Sequence, residues 1–395
     1  MIHKWNYKSL NEDEELIKQK LSKELGINPT LTQLLIQRDV KTYEEAKSFF
    51  RPSLDSLHDP FLMHDMHKAV DRLDQALGNK EKILIYGDYD VDGTTAVALV
   101  YTFLSNYCSS LDFYIPDRYS EGYGISYQGI DYAVENQFSL VIALDCGIKA
   151  VEKIDYATER GVDFIICDHH TPDAILPRAI AVLDPKREDT IYPYSHLSGC
   201  GVGFKFMQAF ALKNGIPFSQ LEPLLDLVAV SIASDIVPIT GENRVMTYHG
   251  LKEINSNPSI GLKSIIDLCN LQNKDIQVSE IVFKIGPRIN ASGRMKSGKE
   301  AVELLITKDL NYARDKGNII NAYNEERKNL DQNITKAARD LVEQDEDAEN
   351  KKSIVVYNSK WHKGVIGIVA SRLSETYYRP TVVLTSSNGL LTGSA

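Results

Sequence analysis

The chain has 395 residues, 43% of them hydrophobic and 25% charged, with a formal net charge of -10; this is an ordinary globular composition, long enough for two domains. No apolar run reaches the roughly 18 residues a membrane-spanning helix needs, and the polar, acidic opening MIHKWNYKSLNEDEE lacks the apolar centre of a secretory signal, so a cytoplasmic protein with no membrane partner is expected. The five cysteines (Cys108, Cys146, Cys167, Cys200, Cys269) form no CxxC pair, which excludes a thiolate zinc site and gives no disulfide framework. The net negative charge argues against global attraction to nucleic acid but leaves room for a local basic channel.

Residues 1–58 read as a peripheral helical extension, with LTQLLIQRDV and TYEEAKSFF as short helices. DMHKAVDRLDQAL carries Met66, Val70, Leu73 and Leu77 at helical spacing before Gly78-Asn79. Strand and helix then alternate. KILIYG is a strand and TTAVALVYTFLSNY the helix after it; SLVIALD and VDFIICD are strands covered on both faces. IKAVEKIDYATERG is a helix with a glycine C-cap, and AVLDP marks a further strand end. This order predicts an α/β domain built on a mostly parallel sheet with right-handed crossovers. LEPLLDLVAVSIASDIVPI is a buried helix closing at Asp235, and GLKSIIDLCNL is another. Residues 310–344 form one long helix or two stacked ones, with Ile319, Tyr323, Leu330, Ile334, Ala338 and Leu341 near one face. After the acidic, solvated boundary EQDEDAEN, the strands SIVVYN and TVVLTSS flank the helix GVIGIVASRLSETY, so a second, smaller α/β domain begins near Ser353. Its elements run out before Ala395, as expected of a chain cut before its natural end. The division is therefore 1–58, 59–309, 310–350 and 351–395.

The strand ends carry the chemistry, because side chains just beyond the carboxyl ends of parallel strands converge on one crevice. GDYDVDG, residues 87–93, places Asp88, Asp90 and Asp92 there. Three like charges so close are uncomfortable alone, and a hard cation relieves them; a solvated acidic turn is the plainer reading. The twelve-position ligand loop of a calcium EF-hand and its final glutamate are missing. Gly93 allows a tight exit and Thr94-Thr95 can cap the next helix, but the lysine of a Walker A loop is absent. Asp145 in ALDCG repeats the strand-end carboxylate, whereas Cys146 has no activating partner and reads as packing. Asp168, His169 and His170 add a carboxylate and two imidazoles, one suited to metal and the other to phosphate. Such mixed oxygen and nitrogen donors suit manganese, and magnesium can use a carboxylate-rich pair. Asp235 reads equally as a helix cap. SGCGVGFK, residues 198–205, is either a turn exposing amides to phosphate beside Lys205 or a structural glycine turn. Residues 282–299 hold Lys284, Arg288, Arg294, Lys296 and Lys299 with no acid, a phosphate-binding wall in which Arg288 and Arg294 offer planar donors. Trp361 reads as packing before base stacking.

Taken in order, ILIYGDYDVDGTTA, ALDCG, CDHH, SGCGVGFK, SDIVPITGENR, FKIGPRINASGRM and WHKGVIGIVASRL resemble the DHH phosphoesterase family, nearest its single-stranded-DNA-specific exonucleases, over residues 60–395. The resemblance implies two Mn2+ or Mg2+ ions held by Asp90, Asp92, Asp145, His169 and Asp235, with Asp145 bridging. Asp88 and Asp168 bind or organise, and His170 contacts phosphate. It also implies a DHHA1-like second domain, an architectural role for SGCGVGFK, and removal of mononucleotides from a 5′ end in DNA repair and recombination. A monomer is expected, with single-strand-binding protein and a DNA helicase as partners. The rival readings are a DHH enzyme of short oligonucleotides, cyclic dinucleotides or nucleotide bisphosphates, a pyrophosphatase, and a noncatalytic nucleic-acid-binding relative. The family's glycine-serine-arginine segment is broken off at LTGSA.

Overall fold

A computed structural model describes residues 4–347, 350–387 and 389–395; residues 1–3 of the opening and 348–349 of the acidic stretch lie outside the described residues. Three helices form the extension: α1 (Glu12–Leu25), α2 (Pro29–Ile36) and α3 (Tyr43–Phe50). α1 opens on an Asn11/Glu14 capping box, which satisfies free amides from both sides, and closes on left-handed Gly26. Leu35, Val40 and Ala46 give this extension a small core of its own. α4 (Met66–Gly78) then buries Met66, Ala69, Val70, Leu73 and Ala76.

Five parallel strands follow, β1 (Ile83–Gly87), β2 (Leu111–Tyr114), β3 (Leu140–Leu144), β4 (Asp163–Cys167) and β5 (Ala181–Leu183), in the order β2-β1-β3-β4-β5. Every residue of β1 and β3 is buried, as strands covered on both faces require. Helices α5 (Val91–Leu104), α6 (Tyr127–Glu135) and α7 (Val151–Thr158) make the crossovers. Residues of α4 and α5 pack with Ile83, Ile85, Ile142 and Ile165 on one face. Those of α6 and α7 pack with Leu84, Tyr86, Val141 and Phe164 on the other. The helix after β1 thus leaves to one side and the helix after β3 to the opposite side, opening a crevice at the carboxyl ends of these neighbours.

Helices α8 (Gly199–Lys213), α9 (Leu225–Ser234), α10 (Gly241–Ser256) and α11 (Ile260–Leu268) thicken the first layer. A single turn, α12 (Val278–Glu280), runs through a π-helical turn at Ile281–Ile285 into α13 (Gly286–Met295), followed by α14 (Lys299–Ile306). α15 (Leu310–Glu343) is one helix of 34 residues. Beyond it, β6 (Ile354–Tyr357) pairs in parallel with β7 (Thr381–Ser387), which pairs antiparallel with β8 (Leu390–Ser394). α16 (Ile366–Tyr377) covers this sheet, and Ile334, Ala338 and Val342 of α15 join its core. Trp361 packs there, nearly buried, and its carbonyl accepts the Thr385 hydroxyl at 2.6 Å. Among the described residues no helix is long and apolar enough to cross a membrane.

Three local expectations need correction, and a fourth, the cap of α7, holds. The helix after β1 starts at Val91, three residues before the threonines, because Asp90 is its N-cap. SGCGVGFK is helix almost throughout: Ser198 caps α8 and its glycines form the first turns. The glycine cap expected for α7 is present: left-handed Gly161 closes the helix, its amide donating to the Thr158 carbonyl at 3.0 Å and the Val162 amide to the Ala157 carbonyl at 3.1 Å. On α15, Ile334 and Ala338 are buried as expected, but the buried face of the first part runs through Ala313, Gly317, Ile320, Asn324 and Asp331, while Ile319 and Leu341 are exposed. Small and polar residues make much of the contact in that first part, so apolar spacing alone misplaces the face there by about a quarter turn.

Candidate metal centre

The aspartate segment is held at both ends of its turn. Asp90 Oδ1 accepts the Gly93 amide at 3.0 Å, capping α5. The Thr94 and Thr95 hydroxyls do not cap amides as expected but donate back to the carbonyls of Asp90 and Val91, at 2.6 and 2.7 Å. Gly93 is needed for space: a Cβ there would stand 2.5 Å from the Asp88 carbonyl oxygen. Asp88 is buried, with Oδ1 accepting the Gly124 amide at 3.2 Å and Oδ2 left without a partner.

Asp92 is almost fully buried one turn further on, and α8 is aimed at it. Its Oδ2 accepts the Gly199 amide at 2.7 Å, and its Oδ1 accepts the Cys200 amide at 2.8 Å and the Ser231 hydroxyl at 2.6 Å. The free amides of a helix N-terminus favour an anion, and here the anion is a carboxylate of the chain itself. A Cβ on Gly199 would meet the Asp145 Cβ at 2.5 Å and Oδ1 at 2.7 Å, so glycine lets α8 close on both acids. Lys205 is buried behind this wall, pairing with Glu242 at 3.0 Å and donating to the His58 carbonyl at 2.6 Å.

Asp145 ends β3 with φ 58, the left-handed region that aspartate tolerates better than most residues. Its Oδ1 has no hydrogen-bond partner and lies 3.2 Å from His169 Nε2. That nitrogen is also 3.6 Å from Asp92 Oδ2 and 3.6 Å from Asp235 Oδ2 at the C-cap of α9. Ligand atoms gather within 4.8 Å of one another in two groups, Asp92/His169/Asp235 and Asp145/His169/His170. Asp90 belongs to neither, although its charge raises the proton affinity of Asp145 and Asp235.

Asp168 organises the histidines. Its Oδ1 accepts the His169 and His170 amides at 2.7 and 3.1 Å and His170 Nδ1 at 2.7 Å; Oδ2 accepts the Ile148 amide at 2.9 Å. This turns His170 Nε2 to the Tyr123 hydroxyl, 3.2 Å away.

The electrostatics are those of a site short of positive charge. Burial, then the Asp90 charge, pushes Asp88 up to about 8. Burial, then Asp92 and Asp90, lifts Asp235 to about 7 and Asp145 well above the carboxylate range. Burial also lowers His169 despite the pull of Asp92. Bonding to Asp168 raises His170, while burial of Asp168 itself is outweighed by His170, so its carboxylate stays below the ordinary range. A neutral imidazole nitrogen facing three carboxylate oxygens without a hydrogen bond is poorly satisfied by protein alone. Both ring nitrogens of His169, with Asp145 Oδ1 and Asp88 Oδ2, are buried and unpartnered. Hard divalent cations satisfy this donor set, and its two groups match a pair of ions.

Of the basic segment, Arg294 lines a small cavity with Val91, Ser234, Asn290 and Arg327. Burial, then the neighbouring Arg118 and Arg327 charges, brings its guanidinium down to about 10. Arg288 is tied elsewhere: Nε donates to Asn321 of α15 at 2.9 Å and Nη1 to the Lys284 carbonyl at 2.8 Å. The sequence reading missed Ser231, Tyr123, Arg118, Arg327 and Asp184, which burial pushes up to about 7 beside Asp168. Nothing in their local sequence marks them; only a strand end, as at Asp184 in AVLDP, could have suggested one.

The DHH family, N-terminal domain, matches residues 82–232. The chain is 37% identical to the single-stranded-DNA-specific exonuclease RecJ of Bacillus subtilis over its whole length, covering 49% of that protein. It is 31% identical to the RecJ of Haemophilus influenzae, covering 97% of this chain and 68% of the relative. Its fold is similar to that of RecJ from Thermus thermophilus in complex with Mn2+, with TM-score 0.81, 27% identity, and 94% of this chain and 52% of the other covered. The chain thus spans about half the length of the Bacillus protein.

Proposed function

Because the chain belongs to the RecJ family, we propose that it is a divalent-metal-dependent exonuclease that hydrolyses single-stranded DNA from its 5′ end and releases mononucleotides, in DNA repair and recombination. The observation that carries this reading is the buried, unpartnered cluster around His169, with an arginine-lined cavity beside it.

Asp90, Asp92, Asp145, His169 and Asp235 would hold the ions, with Asp145 shared between them. Two bound divalent ions supply charge stabilisation at phosphate and ease deprotonation of an attacking water. The rest falls to the chain. The α8 amides and Ser231 fix Asp92; Asp168 fixes His170, whose Nε2 would exchange its contact with the Tyr123 hydroxyl for a phosphate oxygen. Asp88 organises the loop through Gly124. Arg294 orients the backbone from the α13 wall, and Arg288 supports it by bracing α13 against α15. No side chain has to serve as nucleophile: Cys146 is buried, and burial followed by the Asp168 charge drives its thiol far above the reactive range.

The working division is an extension at 1–58, a catalytic domain at 59–309, a connecting helix and linker at 310–350, and a DHHA1-like unit at 351–395, with α15 lending Ala313 and Ile320 to the catalytic core and Ile334, Ala338 and Val342 to that of the second unit. Single-strand-binding protein and a DNA helicase are the protein partners this role implies, and the enzyme acts as a monomer in the cytoplasm. The test is a strand labelled separately at each end and offered single-stranded or as blunt duplex with Mn2+. The reading expects mononucleotides from the 5′ end of the single strand and little from the duplex. An untouched strand alongside rapid dinucleotide cleavage would transfer the chain to the short-substrate branch.

A further inference from the structure

A second cavity, of about 490 Å³, opens beside His170 and has no arginine in its wall: it is lined by Tyr123, Ile125, Ile148, Lys149, Lys153 and His170, with Asp168 at its inner wall. It shares no lining residue with the Arg294 cavity. Its size falls within the range of small-ligand pockets, about 300–1,000 Å³. Ile125 and Ile148 are buried apolar residues, and Tyr123 is about half exposed. Lys149 and Lys153 are its only basic residues besides His170. Lys149 is engaged loosely with Asp173 at 3.4 Å, both side chains more than half exposed. The Lys153 side chain has no hydrogen bond or ion pair among the described residues.

We propose that this cavity is a nucleoside subsite, in which one sugar and base of the strand lie against Ile125, Ile148 and Tyr123. The phosphate on one side of that nucleoside is at the metal centre, and the phosphate on the other side is at Lys153. The arrangement supports this occupant in three ways. His170 and Asp168 belong to both cavity and centre, so whatever fills the cavity abuts the scissile phosphate. Apolar walls with an exposed aromatic ring suit a base without reading its edge, as binding of single strands requires. A free ammonium at the rim complements a backbone phosphate in a chain whose overall charge is negative. The position agrees with the topology, since the cavity is built from the loops after β2, β3 and β4, next to the point where the crossovers diverge.

This subsite rests on the exonuclease reading, and the experiment separates the two. The Mn2+-loaded chain is assayed on single-stranded DNA and on bis(p-nitrophenyl) phosphate, with thymidine 5′-monophosphate and deoxyribose 5-phosphate as competitors. Two variants are compared with the wild type: Lys153→Glu, at the rim, and Ala150→Trp, which fills the cavity, each checked for native thermal unfolding. We expect the nucleotide to inhibit the wild type at least tenfold more strongly than the sugar phosphate, and Ala150→Trp to abolish that difference. Lys153→Glu should lower kcat/KM on the strand at least tenfold more than on the minimal ester, mainly through KM. Equal inhibition by the two competitors, or equal losses on the two substrates in Lys153→Glu, would overturn the subsite while leaving the exonuclease standing. If Ala150→Trp fails to fold, the competitor ratio and Lys153→Glu decide alone. A wild type that cleaves the minimal ester but no strand would remove the exonuclease reading, and this subsite with it.

Discussion

Ile236 is 82% exposed and has φ 60, immediately after Asp235. A β-branched residue in the left-handed region is strained, at a cost of roughly 1–3 kcal/mol, and nothing is gained in packing because the side chain points to solvent. The turn is imposed by its neighbour: Asp235 must cap α9 while its Oδ2 reaches the His169 imidazole. Ile236→Gly should therefore stabilise the metal-free protein by about 1 kcal/mol in urea denaturation, since glycine adopts this conformation freely but gives back part of the gain as unfolded-chain entropy. A loss of stability of that size would mean that the side chain makes contacts that outweigh the strain. At this scale the sequence is most informative about acids at strand ends. Asp88, Asp145 and Asp168 follow short apolar runs and fall where parallel strands converge. Ser231 and the Gly199 and Cys200 amides could not be read that way, because their partner, Asp92, is more than a hundred residues away.

Between elements, α8 fits closely against the first turn of α5 and the end of β3. Gly199→Ala puts a methyl group where the Asp145 side chain stands, so either the helix retreats from Asp92 or Asp145 rotates. The expected result is a loss of Mn2+ affinity of tenfold or more in calorimetric titration, with secondary structure preserved; unchanged affinity would show that the wall can relax at no cost. α9 offers a test away from the centre. Burial pushes the carboxyl of Asp226, near its start, up to about 6, against the bonds from the Ser259 and Leu227 amides. The native state then holds this proton more tightly than the unfolded chain. The associated stability is fully present below about pH 4 and is lost as pH rises through 6. Asp226→Asn should remove that slope and, by pH 7, stabilise the protein by up to about 3 kcal/mol. Urea midpoints at pH 4.5 and 7 check it, and parallel curves for the two proteins would refute it. The glycine segment looked like a turn because glycine is poor in helix interiors; close approach to Asp145 is what selects it. Part of the face of α15 was hidden because Gly317, Asn324 and Asp331 are buried on it together with Ile320 and Ile334.

For the molecule as a whole, alternation of apolar strands with amphipathic helices was enough to predict the parallel sheet, the long helix and a second, smaller α/β unit. The strand order, and the divergence of the crossovers that opens the crevice between β1 and β3, follow only from the packed structure. The arginine cavity that the π-helical turn before α13 helps to line is likewise a product of packing, since its residues come also from α5, α9, α13, α15 and α16. The second cavity touches the centre through His170, and the arginine cavity comes near it through Ser234, the residue before Asp235. The site stands or falls with the ions. The most direct test is a Mn2+ titration of the wild type, Asp145→Ala and His169→Ala, each paired with turnover on a single strand and a thermal unfolding curve. Two ions should bind the wild type. Asp145→Ala should weaken both and nearly abolish turnover, His169→Ala should weaken chiefly one, and both variants should unfold cooperatively. A folded Asp145→Ala protein that binds two Mn2+ ions with wild-type affinity and turns over DNA at the wild-type rate would contradict the account.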